Sequence, residues 1–243
     1  MNIIVCNDKK EFDQKAAQIL ASQIQNKPDS VLGLATGGTP VGMYQELIKM
    51  YENKELSFEQ VKTFNLDEYV GLDKDHPQSY HAYMYENLFN HVDIKKENVN
   101  LPDGRAEDLE QECAAYEQKI KEAGGIDLQV LGIGHNGHIG FNEPNTPFEA
   151  VTHVVDLDER TIQANSRFFD SIDEVPRKAI SMGIKSIMQA KKIMLMATGA
   201  DKAEIIAKAL QGPVTPEVPA SVLQLHPNVT VVLDKEAASK LSL

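Results

Sequence analysis

A chain of 243 residues with 42% hydrophobic and 25% charged side chains can bury one large core and is too apolar for a disordered polymer. Its 24 Lys and Arg stand against 36 Asp and Glu, and the net charge of −12 argues against a nucleic-acid or anionic-membrane surface. Two cysteines, Cys6 and Cys113, are too few for a disulfide framework. No apolar run reaches the length of a membrane span, and MNIIVCNDKK carries no leader pattern, so the cytoplasm is the expected compartment.

Short apolar runs alternate with helix-period segments, the pattern of a mostly parallel α/β sheet with helices on both faces. Asn2–Cys6 reads as the first strand. Asp8, with Glu11 three residues on, opens a helix to about residue 25 whose apolar face is Phe12, Ala16, Ile19, Leu20 and Ile24. A strand at 31–35 runs into TGGTP, and a helix follows over 40–52 with Pro40 at its first position. Ser57 and Gln60 resemble a capped turn before a strand at 61–66, which ends at Asp67. Helices are expected over 79–89 and 107–123, the second closed by Gly124-Gly125. Strands follow at 127–133, 151–157, 192–197 and 228–233, with a helix over 201–210. The span 158–186 is polar and irregular with short helical pieces, the length and character of a lid, and residues 1–243 read as a single domain.

The stretch 131–144, LGIGHNGHIGFNEP, organises the chain. It leaves a strand that reads as buried on both faces, and it holds His135, Asn136, His138, Asn142 and Glu143 among four glycines. Proton carriers, donors and acceptors are thereby placed at a strand's carboxyl end, where open α/β sheets bind ligands. A glycine-rich turn of solvated polar residues accounts for the same letters. Zinc held by His135, His138 and Glu143 is a further alternative, although the spacing fits no common zinc pattern.

Two more loops leave strand ends. Thr36-Gly37-Gly38-Thr39-Pro40 offers backbone N–H groups at a helix N-terminus, which suits a phosphate, and lacks the Gly-Lys ending of a Walker loop. Thr198-Gly199-Ala200-Asp201-Lys202 repeats the arrangement with a lysine, and Arg167 in ANSRFF is a further candidate cation; taken alone, each reads first as a solvated surface residue. Asp67 in NLDEYVGL follows its strand directly, as a base in the crevice or as a turn or cap aspartate. Glu68 beside it reads as a support. Tyr80 covers a sugar ring or belongs to the core.

The motifs LATGGTP, FNLDEYVGL, HPQSY, GIGHNGHIGFNEP, ANSRFF and SVLQLHP, in that order along the whole chain, resemble the glucosamine-6-phosphate deaminase family. The resemblance implies a modified Rossmann-type fold, no cofactor or metal, and conversion of glucosamine 6-phosphate and water to fructose 6-phosphate and ammonium. Asp67 is then the proton-transfer base, His138 the ring-opening residue, and Asn136 and Glu143 its partners. The backbone of Gly37, Gly38 and Thr39, with Arg167 and Lys202, holds the phosphate of a small-molecule substrate. Many family members carry aspartate where this chain has Asn136, so His138 faces a neutral amide here.

Related folds also include 6-phosphogluconolactonases, which have no use for an isomerisation base, and sugar-phosphate sensors, which need a DNA-reading module that this acidic sequence does not display. Regulated hexameric members of the family hold an N-acetylated amino-sugar phosphate with basic residues shortly after FNEP. Here Thr152-His153-Val154-Val155 presents no lysine or arginine, and the chain stops at Leu243 soon after its last strand. The expectation is a monomer rather than a hexamer, with hyperbolic kinetics.

Overall fold

The computed structural model describes residues 1–157, 159, 162–163 and 166–242. Parts of the expected lid therefore lie outside the described residues, as do Ala164 and Asn165 of ANSRFF.

The first strand, β1 (Asn2–Cys6), leads through α1 (Lys9–Asn26) to β2 (Val31–Leu34), α2 (Val41–Glu52) and β3 (Lys62–Asn65). Asp8 caps α1, its carboxylate accepting from the Glu11 N–H, while the Glu11 carboxylate accepts from the Asn7 N–H, one residue earlier than in a standard capping box. Pro40 sits at the cap of α2 rather than inside it, so the helix begins one residue later than the sequence suggested. The turn before β3 is held from outside: Asp93 accepts from the Phe58 N–H at 2.6 Å and the Ser57 hydroxyl at 2.7 Å. Ser57 thus donates to a partner 36 residues away while its oxygen accepts from the Glu59 N–H at 3.3 Å, and neither bond involves Gln60.

Beyond β4 (Asp67–Tyr69) come α3 (Tyr80–Asn87), β5 (Val99–Asn100), α4 (Leu109–Glu122), β6 (Leu128–Leu131) and β7 (His153–Asp156). Then follow β8 (Lys178–Ser181), α5 (Ile184–Met188), β9 (Ile193–Ala197), α6 (Ala203–Gln211) and β10 (Val229–Asp234). Seven strands pair in the order β1-β10-β9-β6-β2-β3-β5, every pair parallel. Every residue of β2, β6 and β9 is buried, as expected of strands covered on both faces.

From β2 the chain moves outward to β3 and β5, then returns to β6 on the other side and continues to β9 and β10. Connections running away from β2 in opposite directions lie on opposite faces when both keep the usual right hand. The loops leaving β2 and β6 therefore part, and a crevice opens between them at the carboxyl ends. At the amino ends Asp127, just before β6, accepts from Lys27 Nζ at 2.6 Å, Lys191 Nζ at 2.7 Å and the Val31 N–H at 2.8 Å. Segments distant in sequence are fastened there by one carboxylate.

A second sheet, β4-β8-β7, is antiparallel. Sequence patterning placed all of 158–186 in an irregular lid; β8 and the start of α5 instead occupy its end, with Ala179, Ile180 and Ser181 fully buried. An apolar cluster of its own backs this sheet, with Tyr69, Leu157, Ile162, Val175 and Ala179 at its centre and Tyr80, Phe141 and Phe169 packed against it.

Candidate active site

The parting loops and the second sheet enclose a cleft of about 790 Å³. Of the residues singled out from sequence, Gly37, Gly38, Thr39, Asp67, Tyr80, His135, His138 and Lys202 line it. Asn136 and Glu143 stand behind His138. Arg167 lies in the helical turn Ser166–Phe168, two residues before Phe169, which reaches the cleft while Arg167 does not.

The β2 loop is shaped by Gly37, whose φ of 96° suits a residue without a side chain. Two tyrosines hold its carbonyls: Tyr44 Oη donates to Ala35 O and Tyr83 Oη to Gly37 O, each at 2.6 Å. Because a peptide is planar with its C=O and N–H opposed, fixing the Gly37 carbonyl on Tyr83 aims the Gly38 N–H the other way. Tyr83 was not foreseen from sequence; it lies one helical turn from Tyr80 on α3, so the spacing carried the signal. On the opposite loop the Gly199 N–H is taken by both oxygens of Asp234, at 3.1 and 3.0 Å, and is committed to structure. Lys202 remains the contribution of that loop. Burial pulls its ammonium below the ordinary value while the charge of Asp201 acts the other way, so an anion in the cleft would find a partly desolvated cation.

The β6 loop fixes His138 from two sides. A side chain on Gly134 would collide with the imidazole, its Cβ falling onto His138 Cε1, so the glycine is the bed on which the ring lies. His138 Nδ1 is 2.8 Å from Asn136 Oδ1, and Asn136 Nδ2 donates to Glu143 Oε2 at 2.5 Å. The roles follow by elimination. An ionised carboxylate only accepts, so the amide turns its NH₂ to Glu143 and its oxygen to His138. Nδ1 must then carry the hydrogen, which leaves the Nε2 lone pair as the proton acceptor of the neutral ring. Glu143 Oε1, 3.4 Å from Nδ1, reinforces that tautomer. A neutral amide at 136 thus still couples the imidazole to a carboxylate. Asn142 serves structure: it is fully buried, and its Nδ2 donates to Ile139 O and Met182 O. His135 also lines the cleft, its Nδ1 3.7 Å from Asp201 Oδ2.

Asp67 opens β4, opposite Ser181 of β8, with 8% of its surface exposed. Among the described residues no cation pairs with it. Burial, and then the charge of Glu68, push its carboxyl up to about 8. The same burial, with the charge of Asp67, drives the Tyr80 phenol well above its ordinary value and keeps it neutral. Tyr80 lies 4.6 Å from Tyr69 and stacks within 6° of the Phe141 plane, their centroids 6.4 Å apart; Phe169 completes the aromatic wall, its ring 5.6 Å from His76. The cleft therefore has a peptide loop and a lysine suited to an anion, an oriented imidazole, a carboxyl that holds its proton tightly, and an aromatic surface suited to a sugar face.

Residues 8–232 match the family described as glucosamine-6-phosphate isomerases/6-phosphogluconolactonase. The chain belongs to this family. Among its relatives is the glucosamine-6-phosphate deaminase of Clostridium botulinum (strain Langeland), 60% identical over 243 residues that span the whole of both chains. The glucosamine-6-phosphate deaminase of Thermoanaerobacter pseudethanolicus is 61% identical over 98% of this chain and 94% of its own. A solved structure of a monomeric glucosamine-6-phosphate deaminase superposes with a TM-score of 0.95 at 51% identity, over 99% of this chain and all of that one. The 6-phosphogluconolactonase of Trypanosoma brucei shares the family fold, with a TM-score of 0.80 at 20% identity over 99% of this chain and 98% of that one.

Proposed function

We propose that the chain is a glucosamine-6-phosphate deaminase, converting glucosamine 6-phosphate and water to fructose 6-phosphate and ammonium. The observation that carries this reading is a proton-holding carboxyl, Asp67, in the same cleft as an imidazole whose Nδ1 is committed to the Asn136–Glu143 pair. The full-length identity to deaminases supports it. In this reading the glycine loop at Gly37 to Thr39 and Lys202 hold the phosphate, Arg167 standing outside the cleft wall, and Tyr80 faces the sugar. His138 Nε2 takes the anomeric hydroxyl proton and returns it to the ring oxygen, which opens the pyranose to an aldehyde. Asp67 removes the proton on C2, giving an enolamine as the carbonyl oxygen gains a proton, and then delivers a proton to C1, leaving an iminium at C2. Water adds at C2 and ammonia departs, so the ketose forms with no net redox change.

A base for carbon-bound hydrogen gains strength as its pKa rises, so a carboxyl near 8 is a better proton acceptor, once ionised, than one near 4. Phe169 at the cleft wall helps to exclude water from the reacting groups. The protein acts as a monomer in the cytoplasm, a reading supported by its monomeric structural relative and by two buried free cysteines. Its kinetics are hyperbolic and indifferent to N-acetylglucosamine 6-phosphate. Initial rates test the proposal: ammonia release from glucosamine 6-phosphate is expected. Hydrolysis of 6-phosphogluconolactone without ammonia release from the amino sugar would overturn it.

A further inference from the structure

We infer that Glu68 is a positioning residue for the reacting site, its carboxylate clamping the start of α3 and the aromatic wall while its charge acts on the neighbouring Asp67. The inference rests on the deaminase reading above. Adjacent residues of a strand point to opposite faces, so Asp67 lines the cleft and Glu68 does not. Glu68, 5% exposed, instead collects backbone donors: Oε1 accepts from the Tyr69 N–H at 2.8 Å and the Tyr80 N–H at 3.0 Å, and Oε2 from the His81 N–H at 2.9 Å. Ser79 already caps α3 in the ordinary way, accepting from the Ala82 N–H at 2.9 Å. A helix start with its own serine cap does not need a buried anion as well. What the second acceptor adds is the tie between Tyr69 and Tyr80, the two rings beside Asp67 that stand 4.6 Å apart.

The charge has a second consequence. Tyr80 from α3 and Tyr116 from α4 both feel the charge of Asp67, and His138 and Lys202 line the same cleft. Among the groups that shift the Asp67 carboxyl, Glu68 is the one with a full negative charge. Burial pushes the Glu68 carboxyl up, but its three N–H donors favour the anion. The two carboxyls titrate as a pair in which Glu68 ionises first and Asp67 keeps its proton to higher pH. Glu68 thereby makes Asp67 a stronger base than a lone aspartate.

Two variants separate the clamp from the charge, read by kcat/KM against pH on glucosamine 6-phosphate. The substrate's own amine and phosphate titrate alike in every variant, so differences belong to the protein. Glu68→Gln removes the charge and sets an NH₂ against a backbone donor; its acid limb is expected to move down by about one pH unit. Glu68→Asp keeps the charge and withdraws it from Tyr80 and His81; its limb is expected to stay while KM rises about tenfold. A limb in Glu68→Gln that coincides with the wild type, or a Glu68→Asp enzyme with wild-type KM, overturns the inference. If Glu68→Gln does not fold, Glu68→Asp decides alone on KM. The ¹³C shift of the Asp67 carboxyl in the free protein keeps this test apart from the substrate: its midpoint falls in Glu68→Gln whichever sugar phosphate is turned over, and an unchanged midpoint counts against Glu68.

Discussion

Two buried aspartates stand at opposite ends of the parallel sheet and have opposite surroundings. Asp127, at the amino end of β6, has two lysines and a backbone N–H within 2.8 Å. Burial works to raise its carboxyl, but the hydrogen bonds from Lys191, Lys27 and Val31 outweigh that and hold it below the ordinary value. Asp67, at the carboxyl end of β3, has burial and a like charge, and its carboxyl rises to about 8. A protein that can satisfy one buried carboxylate so fully and leaves the other, among the described residues, without a cation is spending stability at a chosen place. The end with parting loops is also the end with the strained charge.

Substitutions at the two sites should therefore differ in kind. Asp67→Asn removes the proton acceptor at constant volume, and ammonia release should fall by about 10²-fold or more while a substrate analogue binds nearly as before. A variant that keeps most of the wild-type kcat would break the comparison at its functional end. Asp127→Ala should leave kcat unchanged and cost about 2 kcal/mol, chiefly from the stranded Val31 N–H, because the two lysines can turn to water. Thermal unfolding would show this as a Tm lower by about 4–8 °C, and a loss of activity without loss of stability would contradict the structural role.

The third expectation sharpens the contrast through pH. A carboxyl whose folded-state pKa lies above its unfolded value gives stability that is full below about 4 and lost as pH rises through about 8. An amide in place of the carboxyl has no charge to bury, so the Asp67→Asn protein should match the wild type near pH 4 and exceed it near pH 9 by about 10 °C or more in Tm, as a rise from about 4 to about 8 implies. Equal stability at both pH values would mean that Asp67 is not strained by its site. The smallest effect is expected of Lys27→Met, within about 1 kcal/mol, since Lys191 and the Val31 N–H still hold Asp127 and the Lys27 side chain is 40% exposed. A large loss there would make the amino-end cluster cooperative rather than redundant.

The parallel strands other than the two-residue β5 were legible because each is a short apolar run ended by glycine or a polar residue, and β2, β6 and β9 lie within a residue or two of their expected bounds. The second sheet was legible only in β7, which falls inside the strand expected over 151–157. Its other two strands read DEY and KAIS, too short and too charged to show a period, and they are strands because each finds an antiparallel neighbour far away in sequence. That is why the span 158–186 looked like lid throughout although its last part is β8 and the start of α5. At the site, position after a strand was enough to bring Asp67, His138 and the glycine loop together. Burial of Asp67 was invisible, since it depends on β8 and on aromatic rings from three other segments. The lysines on Asp127 were equally hidden, 100 and 64 residues away along the chain.

One titration tests the contrast most directly. In protein labelled with ¹³C at aspartate carboxyls, the Asp67 and Asp127 signals are identified by their loss in Asp67→Asn and Asp127→Ala, and each is followed from about pH 3 to about pH 10 in the absence of substrate. The account predicts a midpoint near 8 for Asp67 and one below the ordinary aspartate range for Asp127. Two aspartates that both titrate near the ordinary value of about 4 would contradict it.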